Sequence, residues 1–183
     1  MPHLVLLNGA PGMGKTTLAL RYVADHPMAF CLDVDLLRRL IGSWQERPRE
    51  SGLAARRMAV AMAAEHLLGG HDVVVPQYLG RPAFIEELAA VAARTGSDFH
   101  ELVLVDDPVA AVRRFHARAD DPALAAHHRE APTQIEGDGG IEGMHDRLTA
   151  LLAHRPAARV VRTTAGDVDG AYALLLAALD PPD

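Results

Sequence analysis

The chain has 183 residues, 49% of them hydrophobic, which suits one α/β domain of ordinary size and leaves too little length for two. A formal net charge of −6 gives no overall basic footprint, so no nucleic-acid partner is expected. No apolar run reaches transmembrane length and the N-terminus opens into a strand pattern without a basic leader, so the expectation is a cytoplasmic protein without a membrane partner.

Residues 4–7, Leu-Val-Leu-Leu, form the short apolar run of a buried parallel strand. Next comes Gly9-Ala10-Pro11-Gly12-Met13-Gly14-Lys15-Thr16, a complete G-x-x-x-x-G-K-[ST] phosphate-binding loop, and Thr17-Leu18-Ala19-Leu20 continues as a helix. Strand, glycine loop and helix together are the context this motif needs. Residues Gly9 to Thr17, through the backbone N–H groups of all but Pro11, and the helix N-terminus make an anion cradle, and Thr16 offers a hydroxyl to magnesium. Lys15 is the only lysine; the chain's 18 permanent side-chain cations are otherwise arginine. Its compact ammonium threads between phosphates where a planar guanidinium does not fit. Nucleoside triphosphate binding is the strongest expectation from the sequence.

A second strand over 29–32 carries Cys31, the one cysteine, which has no internal disulfide partner and reads as a small core residue. It leads into Asp33-Val34-Asp35-Leu36-Leu37-Arg38. Two carboxylates one residue apart on a strand-to-helix turn can act as general base for a hydroxyl and as acceptor in a magnesium water shell. The alternative is that one aspartate caps the helix and the other is solvated. Arg38, one turn on, can hold an anionic group.

Helical periodicity over 53–68 precedes a third strand at 73–75, followed by Pro76-Gln77-Tyr78-Leu79-Gly80-Arg81 and a helix over 82–94. A fourth strand is predicted at 102–105, and Asp107-Pro108 opens a helix over 109–118 on which Arg114 and Arg118 share a face. Residues 119–143, rich in Asp, Pro and Gly with few large apolar side chains, read as a lid in preference to an inert linker. His127 and His128 are adjacent, not at helical ligand spacing, and even with His116 do not make an expected metal site. A helix over 144–153, a fifth strand at 159–162 and a capping box at Thr164-Ala165-Gly166-Asp167 opening the last helix complete the chain. The alternation predicts a parallel sheet wound by right-handed crossovers.

The glycine loop with Leu32-Asp33-Val34-Asp35-Leu36-Leu37-Arg38 resembles the small P-loop kinases: zeta toxins, chloramphenicol phosphotransferase, adenylylsulfate kinase and the kinase part of polynucleotide kinase, within the wider AAA-type ATP-binding proteins. The resemblance implies a P-loop NTPase fold, five parallel strands in the order 2-3-1-4-5 with helices on both faces. In such families the second-strand aspartate activates the acceptor hydroxyl, which points to Asp33 or Asp35. Asp35 is preferred because it stands three residues before Arg38. The resemblance makes Arg118 and Arg114 lid-base residues that neutralise the transferring phosphoryl group, and runs residues 163–167 along the adenine edge. Tyr78 and Arg81 are expected to line an acceptor pocket, with Trp44 a further candidate, and core packing is the alternative for Tyr78 and Trp44.

Strand three departs from the family pattern. Many relatives end it in a magnesium-ordering aspartate, whereas Gln77 here can hydrogen-bond a metal-bound water or a substrate but brings no charge. Magnesium then depends on Thr16, the triphosphate and Asp33 or Asp35. The implied function is an ATP-dependent phosphotransferase acting on a hydroxyl of a small molecule such as a nucleoside, sugar or antibiotic. The alternative is an ATP-binding regulatory or switch protein. A self-contained NTPase is disfavoured because no glutamate or glutamine stands after strand three in the usual water-orienting context, Gln77 being the one residue that argues otherwise, and the absent guanine-reading Asn-Lys-x-Asp pattern favours ATP.

Overall fold

The computed structural model describes residues 1–106, 139–164 and 166–180. In chain order its elements are β1 (His3–Asn8), α1 (Lys15–Asp25), β2 (Phe30–Cys31), α2 (Val34–Arg39), α3 (Pro48–Leu68), β3 (Val73–Pro76) and α4 (Pro82–Thr95). β4 (Asp98–Val105), α5 (Gly140–Leu152), β5 (Arg159–Arg162) and α6 (Val168–Leu179) follow. The five strands form one sheet in the order β2-β3-β1-β4-β5, every pairing parallel, as the resemblance implied.

Alternation along each strand builds two cores, one on each face. Leu4 and Leu6 of β1, with Val73, Val75 and Val103, turn to the side covered by α3, α4 and α5. Val5 and Leu7, with Val74, Leu102 and Leu104, turn to the side covered by α1 and α6. A sheet buried on both faces needs such apolar runs, and these strand residues are fully buried. On α3 the buried positions Ala55, Ala59, Ala63 and Leu67 recur every four residues, so three methyl side chains let this helix lie close to the sheet.

Several boundaries differ from the sequence reading for local reasons. α3 begins at Pro48, not near residue 53, because proline occupies the first helical position, where its missing N–H costs nothing. β4 starts at Asp98: its half-buried first three residues hide the strand signal, but β1 pairs with them in register from His3↔Asp98 onward. β2 shrinks to two ladder residues at the sheet edge. α5 begins at Gly140, so the end of the predicted lid is helical; Gly139, at φ +73°, adopts the left-handed turn that starts it. Thr164 does not cap α6. Asp167 does, its carboxylate accepting from Gly170 N at 2.8 Å. The rest of the lid, residues 119–138, with the 109–118 helix, Asp107-Pro108, Arg114, Arg118, His116, His127 and His128, lies outside the described residues.

Candidate active site

Parallel strands present their carboxyl ends together, and here those of β1, β2 and β3 carry the phosphate loop, Asp33-Val34-Asp35 and Gln77-Tyr78. The loop's shape comes from Gly9, Gly12 and Gly14 at φ +153°, +84° and +82°. Gly9 admits no side chain, since a Cβ there would stand 2.9 Å from the Leu104 carbonyl oxygen. Ala10 and Met13 are buried in the α1/α6 core and anchor the loop from beneath. Lys15 Nζ donates to Gly9 O at 2.8 Å and Ala10 O at 3.0 Å, folding the ammonium back over the loop. The N-cap of α1 is Gly14, and no side chain caps this helix. Its first turn is thus built to meet an anion, with Thr16 and Thr17 exposed upon it.

Beside the loop a cleft runs between Gly12, Met13, Gly14 and Thr17 on one wall and Thr163, Thr164 and Asp167 on the other. The loop after β5 therefore stands against the phosphate loop, where the resemblance put an adenine edge. Asp106, immediately after β4, also lines this cleft. The sequence reading passed over it, although a carboxylate just after a central strand is a signal in this fold class.

Asn8 is a second residue the sequence reading missed. It is completely buried and makes three hydrogen bonds: Nδ2 donates to Leu79 O at 2.9 Å, while Oδ1 accepts from Gly9 N at 2.8 Å and Leu79 N at 2.9 Å. One side chain thereby locks the start of the phosphate loop to the segment after β3. In the sequence it passes for an ordinary turn residue between a strand and a glycine.

The two aspartates separate in role. Asp33 is the N-cap of α2, its Oδ1 accepting from Asp35 N at 2.9 Å and Leu36 N at 3.2 Å. Burial, together with the charge of Asp35, pushes its carboxyl up despite these amide bonds. Burial, with the charge of Asp33, likewise raises the Cys31 thiol to about 11. Asp35 is exposed, and its Oδ2 accepts from Gln77 Nε2 at 3.2 Å. Gln77 is itself buried, its Oε1 without a hydrogen-bond partner. The structure thus joins Asp35 and Gln77, 42 residues apart in sequence.

Arg38 Nε donates to Ser51 Oγ at 3.2 Å, and its guanidinium lies 5.2 Å from the centre of the Trp44 ring, so both residues meet at the α2–α3 corner. Tyr78 is half-buried, and its hydroxyl donates to Met144 O at 3.1 Å, fastening α5 to the segment after β3. Gly80 leaves room for this bond, because a Cβ would come 2.7 Å from the Tyr78 hydroxyl and push that side chain aside. Arg81 is exposed at the N-cap position of α4.

Residues 4–135 match the family described as AAA domain, well over half of the chain. The chain belongs to the AAA domain family. With the phosphate loop and the parallel sheet, this match supports membership of the small P-loop kinase superfamily. It is similar to a provisionally named kinase from Chloroflexus aurantiacus, with 25% identity over 68% of this chain and 73% of that one, at a TM-score of 0.52. The tunicamycin resistance protein of Deinococcus radiodurans shares the fold over 100% of this chain and 98% of its own, at 16% identity and a TM-score of 0.61. A gluconokinase from Sinorhizobium meliloti does so over 96% and 92%, at 17% identity and a TM-score of 0.56. No functionally curated protein matches the chain significantly. Among the described residues no helix is long and apolar enough to cross a membrane.

Proposed function

We propose that this P-loop kinase is an ATP-dependent phosphotransferase acting on a hydroxyl of a small molecule, a nucleoside, sugar or antibiotic being the classes that fit. The observation that carries the reading is Asp35: an exposed carboxylate held by buried Gln77, on a segment beside the one Asn8 ties to the phosphate loop. Lys15 and the loop amides hold the phosphates. Asp35 takes the proton from the acceptor hydroxyl. Gln77 orients Asp35, and its second amide atom meets the acceptor, with Arg38, Tyr78 and Arg81 at the pocket wall. Arg118 and Arg114 balance charge on the group in transfer. The Thr16 hydroxyl and the Asp33 carboxylate are hard oxygen ligands suited to magnesium and would hold it. Bound ATP with magnesium supplies the phosphoryl group and neutralises its charge.

The neutral Gln77 favours one other reading, an ATP-binding switch without transfer, because strand three brings no charge to a metal. One assay separates them: phosphate transfer across a panel of nucleosides, sugars and aminoglycoside-like or other hydroxylated antibiotics, with wild type and Asp35→Asn. The kinase reading expects the variant to lose roughly 10²- to 10⁴-fold in turnover while ATP affinity stays within a few-fold. Tight ATP binding with no transfer to any acceptor would support the switch.

A further inference from the structure

The opposite end of the sheet carries a cluster that phosphate transfer does not use. His3 opens β1, and Asp98 and His100 lie on the first turn of pleat of β4. The two strands pair there, His3 against Asp98 and Val5 against His100. His3 Nδ1 faces His100 Nε2 at 2.9 Å, and Asp98 Oδ2 stands 3.9 Å from the same His3 nitrogen. One donor atom from each of the three residues lies within 4.8 Å of the others.

We infer that His3, Asp98 and His100 form a site for a divalent transition-metal ion. Two imidazole nitrogens and a carboxylate oxygen suit zinc, cobalt or nickel, and are the wrong donors for magnesium. Tetrahedral zinc with bonds of about 2.0–2.1 Å sets its ligand atoms roughly 3.3 Å apart, so the two separations from His3 must each change by about half an ångström, and that between Asp98 and His100, within 4.8 Å, closes by a rotation of the exposed carboxylate. With Asp98 44% and His3 25% exposed, the fourth position opens to water. The strand ladder fixes the donors in advance: His3 N donates to Asp72 Oδ1 at 2.8 Å, Asp72 Oδ2 accepts from the Tyr22 hydroxyl at 2.8 Å, and Asp98 N donates to Pro2 O at 3.0 Å. The ion would clamp the amino ends of β1 and β4 together, away from the phosphate loop.

The test uses the full chain without a histidine tag. Zinc calorimetry should give about one equivalent bound, and cobalt should give visible absorption of a four-coordinate nitrogen and oxygen site. His100→Asn and His3→Asn should each weaken zinc binding at least tenfold and abolish the zinc-induced rise in melting temperature, whereas Lys15→Ala should retain both. Circular dichroism of the zinc-free variants checks folding, and Asp98→Asn, which keeps size and shape, serves if a histidine variant does not fold. No stoichiometric zinc, or affinity unchanged in these variants, overturns the site. So does loss of zinc in a His127→Asn/His128→Asn double variant with retention in His3→Asn.

Discussion

The two ends of the sheet handle polar groups in opposite ways. At the amino end they close on one another: both oxygens of Asp72 are engaged, by His3 N and by the Tyr22 hydroxyl, His26 stacks on Tyr22 with ring centres 3.8 Å apart, and His3 meets His100. At the carboxyl end, binding capacity is left open. Helix α1 has no side-chain cap, Asp35 is exposed, and Gln77 keeps a buried Oε1 without a partner. An unsatisfied buried polar atom costs a fold about 1–3 kcal/mol, a cost that a ligand donating to Gln77 Oε1 would relieve. One set of strands thus supports an end whose polar side chains pair with one another across strands and an end whose loop and aspartate groups stand open.

The largest expected break in this contrast is Lys15→Ala. The ammonium donates to two carbonyls of its own loop, Gly9 O and Ala10 O, so its removal should abolish ATP binding in calorimetry while leaving the melting temperature of the free protein nearly unchanged. Wild type should melt higher with ATP and magnesium, by mass action on the folded state. Nucleotide affinity that survives the substitution would remove the phosphate loop from the account.

Asn8 and Tyr22 test the two ends against each other. Asn8→Ala strands Gly9 N, Leu79 N and Leu79 O in the interior, a loss of about 2–4 kcal/mol in denaturant unfolding, accompanied by weaker ATP binding because the loop is no longer tied to the β3 segment. Tyr22→Phe removes one hydrogen bond to Asp72 and should cost about 1–2 kcal/mol with ATP affinity intact. Equal effects of both variants on nucleotide binding would erase the functional distinction between the ends.

What the sequence made legible follows the same division. The phosphate loop and the sheet order could be read because a local motif and apolar runs carry them, and β5 was placed at its observed bounds, Arg159–Arg162. The separate duties of Asp33 and Asp35 were not readable. Which carboxylate caps α2 depends on the backbone at Asp33, extended at φ −85° and ψ 109°, and not on residue type. The Asn8 clamp and the Asp35–Gln77 pair span 71 and 42 residues, and His3 reaches His100 across 97, so each exists only once strand register is known. The polar start of β4 concealed that register, because Asp98 to His100 show no apolar alternation of full depth.

Asp33 gives the smallest effect and the finest division of labour at the open end. Asp33→Ala removes the cap of α2 and should cost about 1 kcal/mol, whereas Asp33→Asn keeps an oxygen for Asp35 N and Leu36 N and should stay within about 0.5 kcal/mol of wild type. The sign of that small difference depends on pH. Because burial holds the folded carboxyl above its ordinary value, its contribution to stability is fully present below about pH 4 and is lost as pH rises through the folded value. Asparagine cannot ionise, so Asp33→Asn should gain on wild type between about pH 4 and pH 7 in unfolding curves measured at both ends of that window. If Asp33 also partners magnesium, the same variant should need several-fold more magnesium for half-maximal transfer while unfolding no more easily. A variant that loses stability at neutral pH instead would mean that the ionised carboxylate is favoured where it stands, and that its cap bonds outweigh its burial.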